Sequence, residues 1–241
     1  MGVARAGPQR AQARLVGRVV HQARGVHRGD AGGDGCDQAR HPGAGDRRMR
    51  VLVACEFSGI VRDAFIARGH DAWSCDLLPT ERPGNHIQED VALILEDGWD
   101  VMLAFPPCTY LCASGMHWTT RGKRDPELTE NALNFVQLLL NAPIQKIAIE
   151  NPVGIISTRI RKPNCIIQPY QFGHPESKRT CLWLKNLPVL QPTAICEKPA
   201  TGHWNNQTPS GQNRLGPSSD RWKERSKTYP GIAAAMALQW G

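Results

Sequence analysis

The sequence predicts an α/β fold in which helices cover both faces of a mostly parallel sheet. Two observations support this fold class. From Met49 onward, short apolar runs of strand length alternate with stretches whose apolar residues recur at helical spacing. Turn-forming Gly and Pro residues separate several of these runs. The length of this part, residues 49–241, suits one domain with one substantial core.

The first half of the domain begins with a βα unit. A strand is predicted over residues 50–55, and a Ser-Gly turn leads from it into a helix over residues 61–68. A second strand, residues 72–75, ends on Asp76. A third strand, residues 100–104, ends in Phe-Pro-Pro-Cys, where two successive prolines terminate it.

A long amphipathic helix opens the second half. Residues 127–140 place six apolar side chains on one face at helical spacing: Leu128, Ala132, Phe135, Val136, Leu139 and Leu140. A strand over residues 146–150 follows. Residues 165–169 and 180–184 are predicted to form a closing strand pair, and residues 232–238 a short Ala-rich helix.

Residues 1–48 differ in composition from the rest of the chain. They contain no Ile, Phe, Tyr, Trp, Lys, Glu, Ser, Thr or Asn, so they cannot form an ordinary core. Nine arginines and four aspartates give them +5 of the chain's formal charge of +7. We expect either a disordered or misassigned extension, or an arginine-rich tail that binds nucleic acid.

A second atypical stretch covers residues 186–219. It is rich in Pro, Gly, Asn and Gln and has almost no periodicity. This composition predicts a long irregular loop or a minimal recognition insert within the domain.

The spacing of the cysteines and the hydropathy of the chain indicate the cellular compartment of the protein. Eight cysteines lie mostly singly inside apolar runs, without the regular spacing of a secreted disulfide framework. No apolar run reaches membrane-spanning length, and the N-terminus lacks the apolar segment of a secretory signal. We therefore expect a soluble, cytoplasmic monomer that does not associate with a membrane.

Ligands bind beyond the carboxyl ends of strands in open α/β sheets, so residues that follow strands are candidates for a site. After the first strand, Glu56-Phe57-Ser58-Gly59-Ile60 forms a small-residue turn that a cofactor can approach closely. Asp76, seventeen residues after Gly59, is placed as an acid that binds ribose hydroxyls. Each feature alone is also typical of an ordinary turn or cap.

Two further strand ends carry reactive side chains. The turn Phe105-Pro106-Pro107-Cys108-Thr109-Tyr110 holds a cysteine rigidly, as a nucleophile requires, although Cys108 could also be a small packed residue. The strand end Ile149-Glu150-Asn151-Pro152 delivers a carboxylate to the same rim. Partial desolvation there would raise the pKa of Glu150 and suit it to donate a proton.

A proline-cysteine strand end followed 42 residues later by a Glu-Asn-Pro strand end resembles the DNA (cytosine-5) methyltransferase family. The resemblance covers most of residues 49–184. It implies a Rossmann-like S-adenosylmethionine-dependent methyltransferase sheet with helices on both faces. It also implies S-adenosyl-L-methionine as cofactor and DNA as partner, with single-stranded DNA or RNA left open.

The resemblance assigns roles to individual residues. Phe57, Ser58 and Gly59 resemble the first cofactor motif of the family, Asp76 its ribose acid and Asp90 its adenine-side loop. Pro107 is then expected beside the cofactor. Cys108 takes the place of the nucleophile that attacks C6 of a flipped-out cytosine, and Glu150 the place of the acid at N3.

Two later segments match the family less closely. Lys178 and Arg179 occupy the place of a Gln-x-Arg-x-Arg segment that supports the catalytic loop, but Glu176 stands at the Gln position. Tyr229-Pro230-Gly231 occupies the place of the closing cofactor-side motif without its sequence. Only about 34 residues are available for target recognition, which resembles the solitary enzymes of phages and mobile elements.

The loop predicted over residues 111–126 is the remaining candidate for substrate contact. Its basic and aromatic side chains could contact phosphates and a base, or could simply be a solvated basic surface. They are His117, Trp118, Arg121, Lys123 and Arg124.

Three other interpretations of these motifs remain open. An exocyclic amino-methyltransferase uses a polar-Pro-Pro-aromatic turn, but here Phe105 and Cys108 hold the outer positions. A zinc deaminase needs Pro-Cys-x-x-Cys, and the spacing from Cys108 to Cys112 is one residue too long, so we expect no metal site. Cys112 is then a loop residue that neighbours the reactive thiol by chance. The third is a catalytically idle nucleic-acid-binding module on the same fold.

Overall fold

The computed structural model describes residues 48–241. The predicted N-terminal extension, residues 1–48, lies outside the described residues except for Arg48. A seven-stranded sheet forms the centre of the described part, in the order β3-β2-β1-β4-β5-β7-β6. Its strands are β1 Arg50–Ala54, β2 Asp71–Cys75, β3 His86–Ile87, β4 Val101–Ala104, β5 Lys146–Pro152, β6 Cys165–Ile167 and β7 Thr180–Lys185.

Six α-helices accompany the sheet in the described part of the chain. They are α1 Ile60–Ile66, α2 Ala113–Thr120, α3 Glu127–Leu140, α4 Ile156–Arg159, α5 Arg221–Ser226 and α6 Pro230–Trp240. Short 3₁₀ turns cover Val91–Leu93 and Pro169–Gln171. The bounds of α3 are those that its apolar spacing predicts. No helix of residues 48–241 is both long enough and apolar enough to cross a membrane.

Burial on both faces of β1 explains its continuous apolar sequence. Val51 and Val53 point to one side, where Phe65 of α1 and Met236 of α6 complete a buried cluster. Leu52 and Ala54 join a second cluster on the opposite side, together with Leu133, Val136 and Leu139 of α3. Helices therefore cover both faces, and the predicted Rossmann-like α/β fold class is confirmed.

The direction of β7 determines which residues lie at the edge of the sheet where the parallel strands end. Strands β1 to β5 pair in parallel, whereas β7 runs antiparallel to both β5 and β6. An antiparallel strand starts at the edge where its parallel neighbours end. Thr180 accordingly pairs with Pro152, and the segment that precedes β7 lies beside the carboxyl end of β5.

The prediction of a loop over residues 111–126 is wrong in part, because α2 occupies its centre. This helix buries only Gly115, so its sequence carries no apolar stripe from which a helix could be recognised. Residues 186–219 contain no helix or strand, although Ala194 and Gln207 take part in isolated bridges.

Candidate active site

The Cys108 turn and the Glu150 strand end lie side by side because β4 and β5 are adjacent and parallel. Ala104 pairs with Ile149, so the chain leaves both strands at the same edge. After Pro106 and Pro107, the turn closes as the carbonyl of Cys108 accepts the N–H groups of Leu111 at 3.0 Å and Cys112 at 2.9 Å. Cys108 therefore follows the end of β4, and Glu150 lies within the last residues of β5, beside the same edge of the sheet.

Asn151 links these two turns directly. Its side-chain amide donates a hydrogen bond of 2.8 Å to the carbonyl of Pro106, and the residue is only 1 % exposed. A second link is formed just beyond it, where the N–H of Ile155 donates to the carbonyl of Leu111 at 2.8 Å. The Cys-bearing and Glu-bearing segments are thus one hydrogen-bonded unit.

A close backbone approach completes the link. Gly154 lies so near the Cys108 turn that a Cβ atom on it would stand 2.0 Å from the carbonyl oxygen of Leu111. No side chain other than hydrogen fits this position without a shift of the backbone.

Lys178 faces both reactive groups. Burial raises the pKa of Glu150, as its sequence position predicts, while the charge of Lys178 and the hydroxyl of Thr180 oppose this rise. The pKa of Cys108 is raised as well, first by its hydrogen bond to Cys112, then by burial and by the charge of Glu150, and Lys178 again opposes the change. Lys178 is the nearby cation that favours a negative charge on either group.

Arg179 and Pro107 do not share this position. Both residues are exposed. Burial raises the pKa of Cys181, and the charge of Arg179 acts on that thiol in the opposite direction. The structure therefore distinguishes Lys178 from its neighbour, which the sequence match does not.

Cys112 is held against the Cys108 turn, where the sequence predicts only a loop residue or an accidental neighbour. It directly precedes α2, and its Sγ lies 3.3 Å from the Oγ of Ser114. The hydrogen bond from Cys108 is the largest of several contacts that lower the pKa of Cys112 to about 5. The spacing of four residues was the available signal, since one helical turn brings such residues together.

The turn after β1 holds a buried carboxylate. Glu56 Oε1 accepts hydrogen bonds from Ser58 Oγ at 2.7 Å and from the N–H of Val61 at 3.0 Å, which caps the start of α1. Its other oxygen, Oε2, is buried without a hydrogen-bond partner, and burial raises the pKa of Glu56. Cys55, just before it, adopts a left-handed conformation with φ 58°, which is uncommon for a residue other than glycine.

Arg62, which is buried, stabilises the turn after β1 through hydrogen bonds. Its guanidinium is fully buried and donates to Ser74 Oγ at 3.2 Å and to the carbonyl of Pro83 at 3.0 Å. Gly59 has φ 73°, and a Cβ atom there would stand 2.6 Å from the guanidinium. Arg62 thus ties the predicted cofactor turn to the loop after β2, a role that nothing in the sequence pattern indicates.

Asp76 and Asp90 lie along the same edge with different surroundings. Asp76 is buried, and desolvation followed by repulsion from Glu56 raises its pKa to about 6, although hydrogen bonds from Leu78 and Leu77 oppose this. Asp90 Oδ1 accepts the N–H of Ala92 at 3.0 Å and caps the 3₁₀ turn at Val91–Leu93. The visible function of Asp90 is therefore a cap.

Helix α5 lies over the cofactor side of the edge. The ring of Trp222 stands 6.1 Å from that of Phe57, which is itself buried. Lys227, just after α5, forms an ion pair of 3.0 Å with Glu81. The Lys178 ammonium donates to the carbonyl of Arg225 at 3.1 Å, so α5 is attached on the Cys108 side as well.

The two weakly matching segments are in contact with each other. The Tyr229 hydroxyl donates to Glu176, and the N–H of Gly231 donates to His174 Nε2 at 2.9 Å. A Cβ atom on Gly231 would stand 1.9 Å from the carbonyl oxygen of Phe172, so glycine is required.

The basic segment around α2 is attached to the Cys108 turn. Arg124 donates to the carbonyl of Thr109 at 2.9 Å and covers the ring of Tyr110 at 5.3 Å. Trp118 is 43 % exposed, and the Lys123 ammonium lies 5.2 Å from its ring centre. An exposed indole and several cations thus lie on the segment that follows the reactive thiol.

Among residues 48–241, no group of three or more His, Cys, Asp or Glu side chains is arranged to hold a metal ion. No protein-family model and no curated protein matches the chain.

Solved structures that resemble the fold include a DNA modification methyltransferase encoded within a prophage of E. coli, with 18% sequence identity and a TM-score of 0.41. The match covers 64% of this chain and 53% of that one. Another is the Entamoeba histolytica methyltransferase EhMeth, with 14% identity, a TM-score of 0.42, and coverage of 64% of this chain and 58% of that one. The chain thus matches little more than half the length of either protein.

Proposed function

We propose that the protein methylates C5 of cytosine in DNA, with S-adenosyl-L-methionine as methyl donor and Cys108 as covalent nucleophile. The observation that supports this proposal most directly is the hydrogen bond of 2.8 Å from the Asn151 side chain to the carbonyl of Pro106, which links the Cys108 turn to the Glu150 strand end. The reaction needs a nucleophile and a proton donor on the protein: Lys178 faces the Cys108 thiol and favours its thiolate form, and burial raises the pKa of Glu150, which suits a proton donor.

The cofactor side fits a cationic nucleoside. Glu56 has a buried oxygen without a partner, and Asp76 lies near enough for the charges of the two carboxyls to repel each other, which favours a cationic group beside them. Asp76 would bind ribose hydroxyls, and Phe57 with Trp222 would flank the base. When bound, S-adenosyl-L-methionine supplies the electrophilic methyl group.

The chain's own residues account for activation of the base. The Cys108 sulfur would add to C6 of a cytosine withdrawn from the stack, which breaks the aromaticity of the ring. Glu150, whose pKa is raised by burial, would donate a proton to N3 and receive the developing charge. Electron density then accumulates at C5, which would take up the methyl group. Transfer of the C5 proton to water and return of the N3 proton to Glu150 would accompany cleavage of the S–C6 bond, whose electron pair returns to the Cys108 sulfur.

Lys178 would stabilise the negative charge that forms at two stages of this reaction. Its ammonium favours the thiolate before attack and the carboxylate after proton transfer. Arg179, exposed beside it, is placed for a phosphate contact.

Substrate contact is assigned to the α2 segment. Trp118 offers a stacking surface for a base, and Arg121 and Lys123 are exposed cations that can contact phosphates. We propose DNA as the substrate, with RNA and single-stranded DNA as the alternatives to be compared in the assay.

The test is transfer of a labelled methyl group from S-adenosyl-L-methionine to cytosine in duplex DNA, single-stranded DNA and RNA. A parallel reaction uses 5-fluorocytosine, whose C5–F bond prevents elimination and traps the adduct. We expect an adduct at Cys108 and complete loss of transfer in Cys108→Ala, with cofactor binding retained. Methyl transfer without an adduct would instead indicate exocyclic amino-methylation, and no transfer to any substrate would favour a binding module.

A further inference from the structure

We propose that Asn206 is a positioning residue for Lys178: its side-chain amide holds the backbone of Ser177 and thereby fixes the place of the Lys178 ammonium. The role of Lys178 in methyl transfer rests on the proposed function, whereas its action on the Cys108 thiol can be measured without any nucleic acid.

Two amide side chains hold the backbone just before β7. The pairing of β7 with β5 begins at Thr180, two residues after Lys178. Before that point, the N–H of Ser177 donates to Asn206 Oδ1 at 3.1 Å, and its carbonyl accepts from Asn206 Nδ2 at 2.8 Å. The N–H of Lys178 donates to Gln168 Oε1 at 2.9 Å. Side chains therefore supply the hydrogen bonds that the strand supplies further along.

Asparagine suits this position because its amide carries an acceptor and a donor at a fixed spacing. It can thus bind the N–H and the carbonyl of one residue at the same time. Asn206 reaches Ser177 from the irregular stretch after β7, across 29 residues of chain. One side chain of this stretch therefore acts directly on the segment that carries Lys178.

The turn that contains Asn206 is itself anchored to the segment that precedes β7. The N–H of Asn205 donates to the carbonyl of Pro175 at 2.9 Å. The ring of Trp204 stacks on that of Tyr170, with 4.5 Å between the ring centres and an angle of 4° between the planes. These contacts hold the Asn206 amide in place before it binds Ser177.

The place of the Lys178 ammonium depends on both ends of a flexible side chain. At the tip, Nζ donates to the carbonyl of Arg225 at 3.1 Å. At the base, the bonds from Asn206 fix the backbone next to Lys178. The charge of Lys178 acts on Glu150, whose pKa is raised by burial, and on the Cys108 thiol. Loss of the Asn206 bonds would let the ammonium move and would weaken its effect on both groups.

The test compares the wild type with Asn206→Ala, Lys178→Met and the double variant. Alanine removes both bonds to Ser177, and methionine keeps the length of the lysine side chain without its charge. Asn205→Ala, which changes the exposed neighbouring side chain, is the matched control. Asn206→Ser replaces Asn206→Ala if the latter does not fold, because a serine hydroxyl is too short to bind the N–H and carbonyl of Ser177 together. Thermal unfolding checks that every variant is folded.

The first measurement is the alkylation of Cys108 by iodoacetamide between pH 6 and pH 10, followed by peptide mass spectrometry. Cys112, burial and the charge of Glu150 raise the pKa of the Cys108 thiol, and Lys178 opposes them. Loss of the Lys178 charge should therefore shift the alkylation profile to higher pH. Cys112 and Glu150 are the same in every variant, so differences between the variants report the effect of Lys178.

We expect alkylation of Cys108 at pH 8 to fall by about three-fold or more in both Asn206→Ala and Lys178→Met. The double variant should match Lys178→Met, because two changes that act through one group do not add. Asn205→Ala should match the wild type. In the methyl-transfer assay, we expect the kcat of Asn206→Ala to fall by about five-fold or more while the KM for the cofactor stays unchanged.

An unchanged Cys108 profile in Lys178→Met or in a folded Asn206 variant would overturn the proposal. It would also be overturned by a double variant in which the two shifts add, since Asn206 would then act without Lys178. The proposed function can fail separately. If the alkylation profiles shift as described but no nucleic acid is methylated, Asn206 positions Lys178 and methylation of cytosine is wrong.

Discussion

Burial of the Asp76 carboxyl lowers the stability of the folded protein at neutral pH. Its raised pKa, about 6, means that the folded protein disfavours the ionised form relative to the unfolded chain. The contribution of Asp76 to stability is therefore greatest below about pH 4 and is lost as pH rises through about 6.

Asp76→Asn should consequently stabilise the protein at pH 7 by about 1–3 kcal/mol, and this gain should disappear near pH 4. If Asp76 is the ribose acid, as we propose, the substitution should also weaken cofactor binding. Urea unfolding at both pH values and a cofactor titration measure the two effects. Asp97→Asn, which changes an exposed side chain, is the control and should alter neither.

For individual residues, the sequence predicts a site position only where a polar or reactive side chain follows an apolar run of strand length. Cys108, Glu150 and Asp76 each follow an apolar run, so each could be predicted at the edge of the sheet. Glu56, Arg62 and Cys112 could not be assigned, because their positions arise from contacts. Arg62, for example, acts on Pro83 through a hydrogen bond that spans 21 residues.

Among the elements, the unit formed by the ends of β4 and β5 depends on close backbone packing. Gly154→Ala would place a methyl group 2.0 Å from the carbonyl oxygen of Leu111 and force the two turns apart. We expect a loss of about 1–3 kcal/mol in stability and a larger proportional loss of methyl transfer. Gly216→Ala, where no atom lies within 4 Å of the new Cβ, should leave both unchanged.

If Gly154→Ala retains wild-type stability and activity, the two turns are not the rigid unit described above. Thermal unfolding together with the methyl-transfer assay decides this, since a purely global effect would lower activity only near the unfolding transition.

Helices α2 and α5 each present a tryptophan to a different side of the site. Trp222→Ala removes the ring beside Phe57 and should weaken cofactor binding by about five-fold or more, with little effect on affinity for DNA. Trp118→Ala should do the reverse, because its exposed ring is assigned to a base and contributes about 1–3 kcal/mol if it stacks. Calorimetry of each ligand with both variants provides the measurement, and equal effects on both ligands would contradict this division.

The same two helices show the limit of sequence reading at the level of elements. Helix α3 could be predicted to the residue, since its apolar face packs on the sheet. Helices α2 and α5 bury little or nothing, and burial is the property that gives a helix its sequence pattern. Strand β5 continues past the predicted end at Glu150 because pairing with β7 extends to Pro152.

At the scale of the whole molecule, the two buried clusters of the described residues are built from the stretch between Met49 and Trp240. We therefore propose that a variant starting at Met49 keeps the wild-type free energy of unfolding to within about 0.5 kcal/mol. Its affinity for DNA, measured over a range of salt concentrations, distinguishes the two hypotheses for the extension. A nucleic-acid-binding tail would make the salt dependence of the wild type steeper than that of the variant, whereas an inert extension would leave it unchanged.

The α/β class with a mostly parallel sheet was predictable because strands alternate with helices along the chain. The antiparallel course of β7 was not, and it is what brings Lys178 to Glu150. Direction of pairing depends on the path of the chain between strands, which local sequence does not encode.

The irregular stretch after β7 has two anchors at the mouth of the site. Asn206 donates to the carbonyl of Ser177 at 2.8 Å, and Trp222 stands beside Phe57. Every residue of 209–220, between these anchors, is exposed. Lengthening such a loop costs little, since each doubling adds only about 0.6 kcal/mol of closure entropy. A longer sequence-recognition element could therefore be inserted between residues 209 and 220, which would redirect the proposed methyl transfer to new target sequences while the Cys108 and Glu150 segments stay unchanged.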